Sequence, residues 1–155
     1  SSAMFYHETD GLTWDGTGIP VSGGAGRYAS IALDGSGRPC ISFNAAGDGD
    51  IRYISHDGSD WGTAQQVAVS GYSYTGLAFD GAGQPVIAYC GAADGTNGLA
   101  LARYNGSGWD RAVLDTGADG NCGLFLSFKL DALGRAHISY FDFMSKEIRY
   151  LCWLP

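Results

Sequence analysis

The sequence predicts an all-β fold, and three observations carry that prediction. Glycine accounts for 25 of the 155 residues, more than twice its average share of roughly 7%. Each glycine inside a helix costs about 1 kcal/mol relative to alanine, so this composition disfavours a helical protein. Hydrophobic residues make up 45% of the chain, which is enough for a buried core. Short stretches of alternating apolar and polar residues lie between glycine-containing turns, the pattern of half-buried strands.

The chain contains three copies of one hairpin segment, at 30–43, 76–89 and 127–140. Each copy is an alternating strand, an Asp-x-x-Gly turn and a second alternating strand. The turn residues Asp34, Asp80 and Asp131 are 46 and 51 residues apart. Aspartate accepts hydrogen bonds from the backbone that follows it, and glycine adopts the positive φ that closes the turn. We therefore interpret these aspartates as turn caps rather than catalytic groups.

A second kind of hairpin follows each of the first two copies and also opens the chain. Its Asp-Gly or Asn-Gly turn, a strong hairpin signal, is followed three residues later by a tryptophan. The tryptophans Trp14, Trp61 and Trp109 are 47 and 48 residues apart, and their regular recurrence favours packing between sheets over a ligand-stacking role. A weaker strand is predicted after each tryptophan, at 19–22, 66–70 and 112–115.

One unit is therefore four short antiparallel strands in about 48 residues, and repeats of this kind are typical of β-propeller blades. With the strands of a blade labelled A to D from inner to outer, the chain reads C-D, A-B-C-D, A-B-C-D, A-B-C. We predict a single three-blade unit over 1–155, circularly permuted, with one C strand duplicated. It comprises a half-blade at 4–22, blades at 27–70 and 73–115, and a partial blade at 124–153.

The motifs of this unit resemble a known class of repeat. Aliphatic-Ala-aliphatic-Asp-x-x-Gly-x-Pro-x-Ile-Ser-Tyr, then Ile-Arg-Tyr, then Asp-Gly-x-x-Trp, resembles bacterial BNR-like or sialidase-like propeller blades, and the A–B hairpin is similar to NHL-type blades. Segment 55–61 approaches the sialidase Asp-box, but its glycine and tryptophan stand one place early. A sialidase-like enzyme would also need an arginine triad in one pocket, and the arginines here share no common face.

Three blades are fewer than the roughly 4–8 that close a propeller ring. Two copies joined head to tail would give a six-bladed ring, within that range of roughly 4–8. We predict that the main partner of the chain is itself, as a homodimer. A piece of a longer propeller is the alternative that the sequence leaves open.

Charge and cysteine content exclude several functions. The net charge is −7, and the nine lysines and arginines are spread singly, so neither nucleic acid nor an anionic membrane surface is an expected partner. Cys40, Cys90, Cys122 and Cys152 form no CxxC pair, and we predict no metal site and no cofactor. Cys122 could pair with Cys152 or Cys90 in an exported protein. The compartment stays open between secreted or cell-surface and cytoplasmic.

The most promising surface is the face that the D–A and B–C loops share in the propeller fold. It combines aromatic rings with Asn and Asp, the mixture that carbohydrate or polar-peptide sites use. Tyr28 and Tyr74 occupy the same blade position, which Phe125 takes in the third copy. The alternative is that these side chains only seal the channel entrance. The candidate ligand-binding residues are Arg27, Tyr28, Asn44, Tyr72, Tyr74, Asn97 and Asp142.

The function predicted from the sequence is a non-enzymatic module that recognises carbohydrate or protein through this loop face. No catalytic residue is assigned. A purely structural, self-assembling propeller fragment and a sialidase-like glycoside hydrolase are the alternatives. Phe43, Tyr89 and Tyr140 end the B strands in register and are predicted to be core residues.

Overall fold

A computed structural model describes residues 4–9, 14–21, 26–69, 74–93, 95–117 and 123–154. Every regular element in these ranges is a β-strand, and all strand pairs are antiparallel. The strands are β1 (Met4–Thr9), β2 (Trp14–Ile19), β3 (Gly26–Leu33), β4 (Pro39–Ala45), β5 (Ile51–Ser55), β6 (Gln65–Ala68), β7 (Thr75–Phe79), β8 (Pro85–Ala93), β9 (Thr96–Tyr104), β10 (Trp109–Asp115), β11 (Leu124–Leu130), β12 (Ala136–Asp142) and β13 (Glu147–Trp153).

The strands form four sheets in which chain neighbours are also sheet neighbours. They are a two-stranded sheet (β1–β2), a first four-stranded sheet (β3–β6), a second four-stranded sheet (β7–β10) and a three-stranded sheet (β11–β13). Short hairpin turns join the strands within each sheet, so no crossover interrupts the order. The predicted all-β architecture of antiparallel meanders is confirmed. In the part of the chain that the structure describes, no helix has the length and apolarity needed to cross a membrane.

The Asp-x-x-Gly turns have the predicted geometry in all three copies. The Oδ1 atom of Asp34 accepts hydrogen bonds from the backbone N–H groups of Ser36 at 2.8 Å and Arg38 at 2.9 Å. Gly37 adopts a φ of +78°, in the left-handed region that glycine tolerates. The equivalent aspartates hold the same two backbone positions: Asp80 holds Ala82 and Gln84, and Asp131 holds Leu133 and Arg135.

The strands after the Asp-Gly hairpins begin earlier than predicted. Trp14 and Trp109 are themselves the first strand residues and pair with Thr9 and Tyr104. Between Tyr104 and Trp109 the turn has only four residues, closed by the Asn105 N–H donating to the carbonyl of Gly108, so the chain re-enters the sheet at the tryptophan. The hairpin that contains Trp61 differs, because Trp61 forms only an isolated bridge with His56 and β6 starts at residue 65.

The sheets stack face to face in chain order, and strand alternation supplies both faces. In β8, Ile87 and Tyr89 pack in a cluster with Tyr53 of the first four-stranded sheet. Their neighbours Val86 and Ala88 pack in another cluster, which includes Ile138 and Tyr140 of the three-stranded sheet. This stacking of small antiparallel sheets is consistent with a propeller-like fold.

The predicted core positions at the ends of the B-type strands are confirmed. Phe43 and Tyr89 are fully buried, and Tyr140 is 4% exposed. Phe43 belongs to a third cluster, which joins the outer face of the first four-stranded sheet to Ile19 of β2. The two-stranded sheet therefore covers part of that face.

Gly76 marks the closest approach of the second four-stranded sheet to the three-stranded sheet. A Cβ atom there would lie 2.7 Å from the Cβ of Phe128 and 3.0 Å from Cδ1 of Leu126. We expect Gly76→Ala to lower the free energy of unfolding by about 1–3 kcal/mol through overpacking. Gly81→Ala is the matched control, because nothing lies within 4 Å of its Cβ and its effect should stay within about 0.5 kcal/mol. Equal losses in urea unfolding would contradict the close approach.

Candidate functional site

The predicted aromatic residues meet at one end of the sheet stack, called here the connection end (the starts of β3, β7 and β11). The ring centroids of Tyr28 and Tyr74 are 4.2 Å apart, and those of Tyr74 and Phe125 are 4.7 Å apart. Tyr28, Tyr74 and Phe125 therefore form a row across three sheets, the aromatic ladder. Burial is the main cause of a raised pKa at Tyr74, and the neighbouring Tyr28 raises that pKa further. The phenol of Tyr74 therefore stays protonated at neutral pH.

The backbone at both ends of the aromatic ladder is strained. Tyr28 and Phe125 each have a φ of +51°, a region that costs a non-glycine residue about 1–3 kcal/mol. Both lie at register shifts in their strands, between residues 27 and 30 and between 124 and 127. The carbonyl of Tyr28 accepts a hydrogen bond from the hydroxyl of Thr75 at 2.9 Å. That bond ties the strained position to the next sheet.

The polar candidates of the connection end lie on different strands, and their ligand role stays a prediction. Asn44 is fully buried, and its Nδ2 donates to the carbonyl of Gly49 at 2.5 Å. Arg27 stands opposite Asn44 in the β3–β4 register. Asn97 is exposed in another sheet, on β9. Tyr72 lies outside the described residues.

Asp142 has structural partners in the three-stranded sheet. Its Oδ2 lies 2.9 Å from Nη1 of Arg149, and its Oδ1 accepts the backbone N–H groups of Met144 and Ser145 at 3.0 and 3.2 Å. The carboxylate is almost wholly buried. These contacts organise the β12–β13 turn, and the ligand role predicted for Asp142 stays a prediction.

A cavity of about 280 Å³ opens at the opposite end of the stack, between the two four-stranded sheets. We call it the turn-end cavity, because the Asp-x-x-Gly and Asp-Gly turns border it. Its walls come from both sheets, so it exists only where they pack together. It is lined by Asp34, Arg38, Cys40, Tyr53, Ser55, His56, Asp57, Gln65, Phe79, Gly83, Gln84, Pro85, Tyr104 and Trp109.

Aromatic rings form much of the wall of the turn-end cavity. The Trp109 ring packs edge-on against Tyr53 at 5.7 Å and against Tyr104 at 5.3 Å. These contacts confirm the predicted packing role of Trp109, but the residue also lines the cavity. Its indole Nε1–H is buried and has no hydrogen-bond partner among the described residues. Because the Nε1 atom is buried, the indole offers the cavity its ring surface rather than this donor.

Ion pairs and turn contacts fix the polar rim of the cavity. Nε and Nη2 of Arg38 both lie 2.8 Å from Oδ2 of Asp34, and Nη1 donates to the carbonyl of Asp57 at 3.2 Å. The backbone N–H of Arg38 holds the pKa of Asp34 below its ordinary value. The backbone N–H groups of Asp60 and Ser59 do the same for the pKa of Asp57. Both carboxylates are therefore charged at neutral pH.

The base of the cavity carries two uncharged groups. Burial raises the pKa of the Cys40 thiol, and it raises the pKa of the Tyr53 phenol strongly. Neither group is ionised near neutral pH, so neither is an activated nucleophile. An aromatic wall, protonated groups below and a fixed polar rim suit the binding of a neutral polar molecule.

Sequence reasoning did not single out the turn-end cavity. It treated the turn aspartates as caps and the tryptophans as packing residues, and the structure confirms this for Asp34, Asp80, Asp131, Trp61 and Trp109. The usable signal was topological, because the Asp-x-x-Gly and Asp-Gly turns must lie at the same end of an antiparallel meander. Of the cysteines, Cys40 and Cys152 are free thiols, and Cys122 lies outside the described residues. Within the described ranges, no three His, Cys, Asp or Glu side chains form a metal-binding group.

Comparison with known proteins gives one informative likeness. No protein-family model and no curated protein matches the chain. Among solved structures, the chain is similar to a fucose lectin from Kordia zhangzhouensis, solved in complex with methyl-fucoside. The two are 19% identical, with a TM-score of 0.51, and the match covers 81% of this chain and 91% of that chain. At this identity the likeness shows the fold alone.

Proposed function

We propose that this protein is a lectin-like, non-enzymatic module that binds a neutral sugar in the turn-end cavity. The observation that carries the proposal is an open cavity with an aromatic wall of Tyr53, Tyr104 and Trp109 beside a polar rim fixed by hydrogen bonds. Sugars offer C–H faces to aromatic rings and hydroxyl groups to fixed donors and acceptors. The similar fold of a fucose lectin makes methyl-fucoside the first ligand to test.

The chemistry of the cavity favours binding over hydrolysis. A glycosidase needs a carboxylic acid that is protonated at working pH beside a second carboxylate. Asp34 and Asp57 instead accept backbone hydrogen bonds that hold their pKa values low. Five arginines each pair with an aspartate, Arg38 at the rim of the cavity and the other four outside it: Arg38 with Asp34, Arg52 with Asp48, Arg103 with Asp80, Arg135 with Asp131 and Arg149 with Asp142.

Replacing Trp109 by phenylalanine tests the sugar site directly. The change keeps an aromatic ring and removes part of the stacking surface of the indole. We expect the sugar to bind about five- to tenfold more weakly, because less ring surface covers it. Gln84→Ala, on the rim, should weaken binding by a similar factor. A glycan array with the protein displayed multivalently selects the sugar, and calorimetry measures each variant.

Asn97→Ala is the matched control, because Asn97 is exposed at the connection end and makes no part of the cavity. Unchanged affinity is expected for this variant. If Asn97→Ala weakens binding and Trp109→Phe does not, the sugar site belongs to the loop face predicted from the sequence. Absence of binding to every sugar at high valency would overturn the lectin function.

We also propose that the sheets are propeller blades and that two copies close into a six-bladed ring, within the usual range of roughly 4–8. The three-stranded sheet has an A-B-C order and lacks the fourth strand of the other sheets. The strand β2 follows β1 as β6 follows β5 and β10 follows β9, so β2 of a second copy can supply that missing strand by pairing with β13 in place of β1. Light scattering should give the mass of two chains. A purely structural assembly would show this mass without sugar binding.

A further inference from the structure

The outer faces of the three-stranded sheet and of the first four-stranded sheet each leave apolar surface uncovered. On the three-stranded sheet, Phe125 is 66% exposed, Ile148 84% and Tyr150 64%. Phe125 and Ile148 also border a shallow apolar cavity of about 380 Å³ on that face. On the first four-stranded sheet, Ile31 and Leu33 of β3 are 62% and 61% exposed, beyond the part that the two-stranded sheet covers. Apolar patches of this kind mark interaction surfaces.

The same face of the two preceding sheets is buried. Tyr53 of β5 is 8% exposed, because the second four-stranded sheet packs over it. Tyr150 of β13 holds the equivalent repeat position but has no sheet above it. Leu101 of β9 is the third equivalent and is buried beneath the three-stranded sheet. The same type of contact between sheets is therefore formed twice within the chain. The uncovered face of the three-stranded sheet has the features of one side of a third such contact.

The inner strands show how such a junction is aligned. Tyr28 stacks on Tyr74 across the first junction, and Tyr74 stacks on Phe125 across the second. Polar contacts set the register at the first junction: Ser30 Oγ accepts the backbone N–H of Leu77 at 3.1 Å. Each junction thus adds one ring to the aromatic ladder. The rings at the two ends of the ladder, Tyr28 and Phe125, are exposed.

We propose that the aromatic ladder is an assembly seam: Phe125 of one copy stacks on Tyr28 of a second copy. This inference rests on the ring closure proposed above and names the surface that achieves it. The uncovered face of the three-stranded sheet then docks on the Ile31 and Leu33 side of the first four-stranded sheet of the second copy. The occupant is a second copy rather than an unrelated protein, because the repeat fixes the same register on both surfaces.

The strained backbone supports this assignment. Tyr28 and Phe125 share the φ of +51° although they lie in different sheets. Strain of this size persists where surrounding contacts require one side-chain direction. Inside the chain, Tyr74 supplies that contact on one side of each ring. The second copy supplies it on the other side, so six rings form a continuous circle in the dimer, two copies of the three-ring ladder.

Two single-cysteine chains test the seam, both with Cys40 and Cys90 replaced by alanine and Cys122 and Cys152 replaced by serine, so that no native thiol competes. One chain carries Phe125→Cys and the other Tyr28→Cys. Under mild oxidation we expect a covalent dimer when the two chains are mixed and none from either chain alone. Disulfides require Cα atoms within about 7 Å, so only direct neighbours react. Leu133→Cys, 73% exposed in a turn of the same sheet, replaces Phe125→Cys as the control and should give no cross-link.

Affinity gives a second measurement. Phe125→Ala should raise the dimer dissociation constant at least tenfold, because the closed ring has two seams and the variant removes one aromatic pair and its buried area from each. A dimer that forms without the Phe125–Tyr28 cross-link overturns the seam but leaves the ring closure standing. A monomer at all concentrations overturns both. Equal cross-linking by Leu133→Cys also overturns the seam. Sugar binding is measured separately, because the turn-end cavity lies within one chain.

Discussion

Tyr89→Ala is expected to reduce the free energy of unfolding by about 3–5 kcal/mol, the usual cost of removing a buried aromatic ring. Tyr89 is completely buried in the cluster that joins the two four-stranded sheets. The cavity left behind would border both sheets, and neither can move toward the other without opening a second junction. Because small domains are stable by only about 5–15 kcal/mol, this change removes a large share of the total.

Chemical denaturation followed by tryptophan fluorescence measures the loss. Tyr89→Phe is the control, because it keeps the ring and removes only the hydroxyl, which donates to the carbonyl of Ala92 at 3.3 Å. That bond is long, and we expect a cost of about 1 kcal/mol or less. A similar cost for both variants would mean that the ring is not the packing element.

Asp142→Ala is expected to cost about 2–3 kcal/mol, because two backbone N–H groups lose their charged, buried acceptor. Arg149, whose side chain is 35% exposed, also loses its Nη1 contact at 2.9 Å. Asp115 keeps one contact with this guanidinium, at 3.3 Å, which limits the loss. The two backbone N–H groups are those of Met144 and Ser145 in the β12–β13 turn.

The control for this prediction is Asp142→Asn, which keeps an oxygen for the turn and loses only the charge. It should cost less than Asp142→Ala in thermal unfolding. Sugar affinity should not change in either variant, because Asp142 does not line the turn-end cavity. A large loss of sugar binding with unchanged stability would instead support the ligand role predicted from the sequence.

Local sequence was sufficient to predict the strands and their turns. The Asp34 turn closes through its own side chain and Gly37, and neither contact depends on distant residues. Alternation then assigned Phe43, Tyr89 and Tyr140 to the core. The repeat also placed Tyr28 and Tyr74 at one register position, where their rings are in contact. Such features repeat because each depends on a few neighbouring residues.

The turn-end cavity could not be predicted in this way, because the space between two sheets depends on side-chain size across the junction. Ser55 lines the cavity and leaves room in it. Arg103 holds the equivalent repeat position in the next sheet, where its guanidinium lies over the Trp153 ring at 5.9 Å. The same repeat position thus borders a cavity between the two four-stranded sheets and a filled space between the second four-stranded sheet and the three-stranded sheet. That difference depends on how the sheets pack.

The close approach at Gly76 bears on the angle between successive sheets. The inner strands β7 and β11 touch where one side carries no side chain at all. Farther out, the same two sheets are separated by the large side chains of Leu151 and Trp153. Thin inner edges and thick outer edges set the angle between these two sheets. In the ring proposed above, side-chain volume on the innermost strand therefore determines how many sheets complete one full turn.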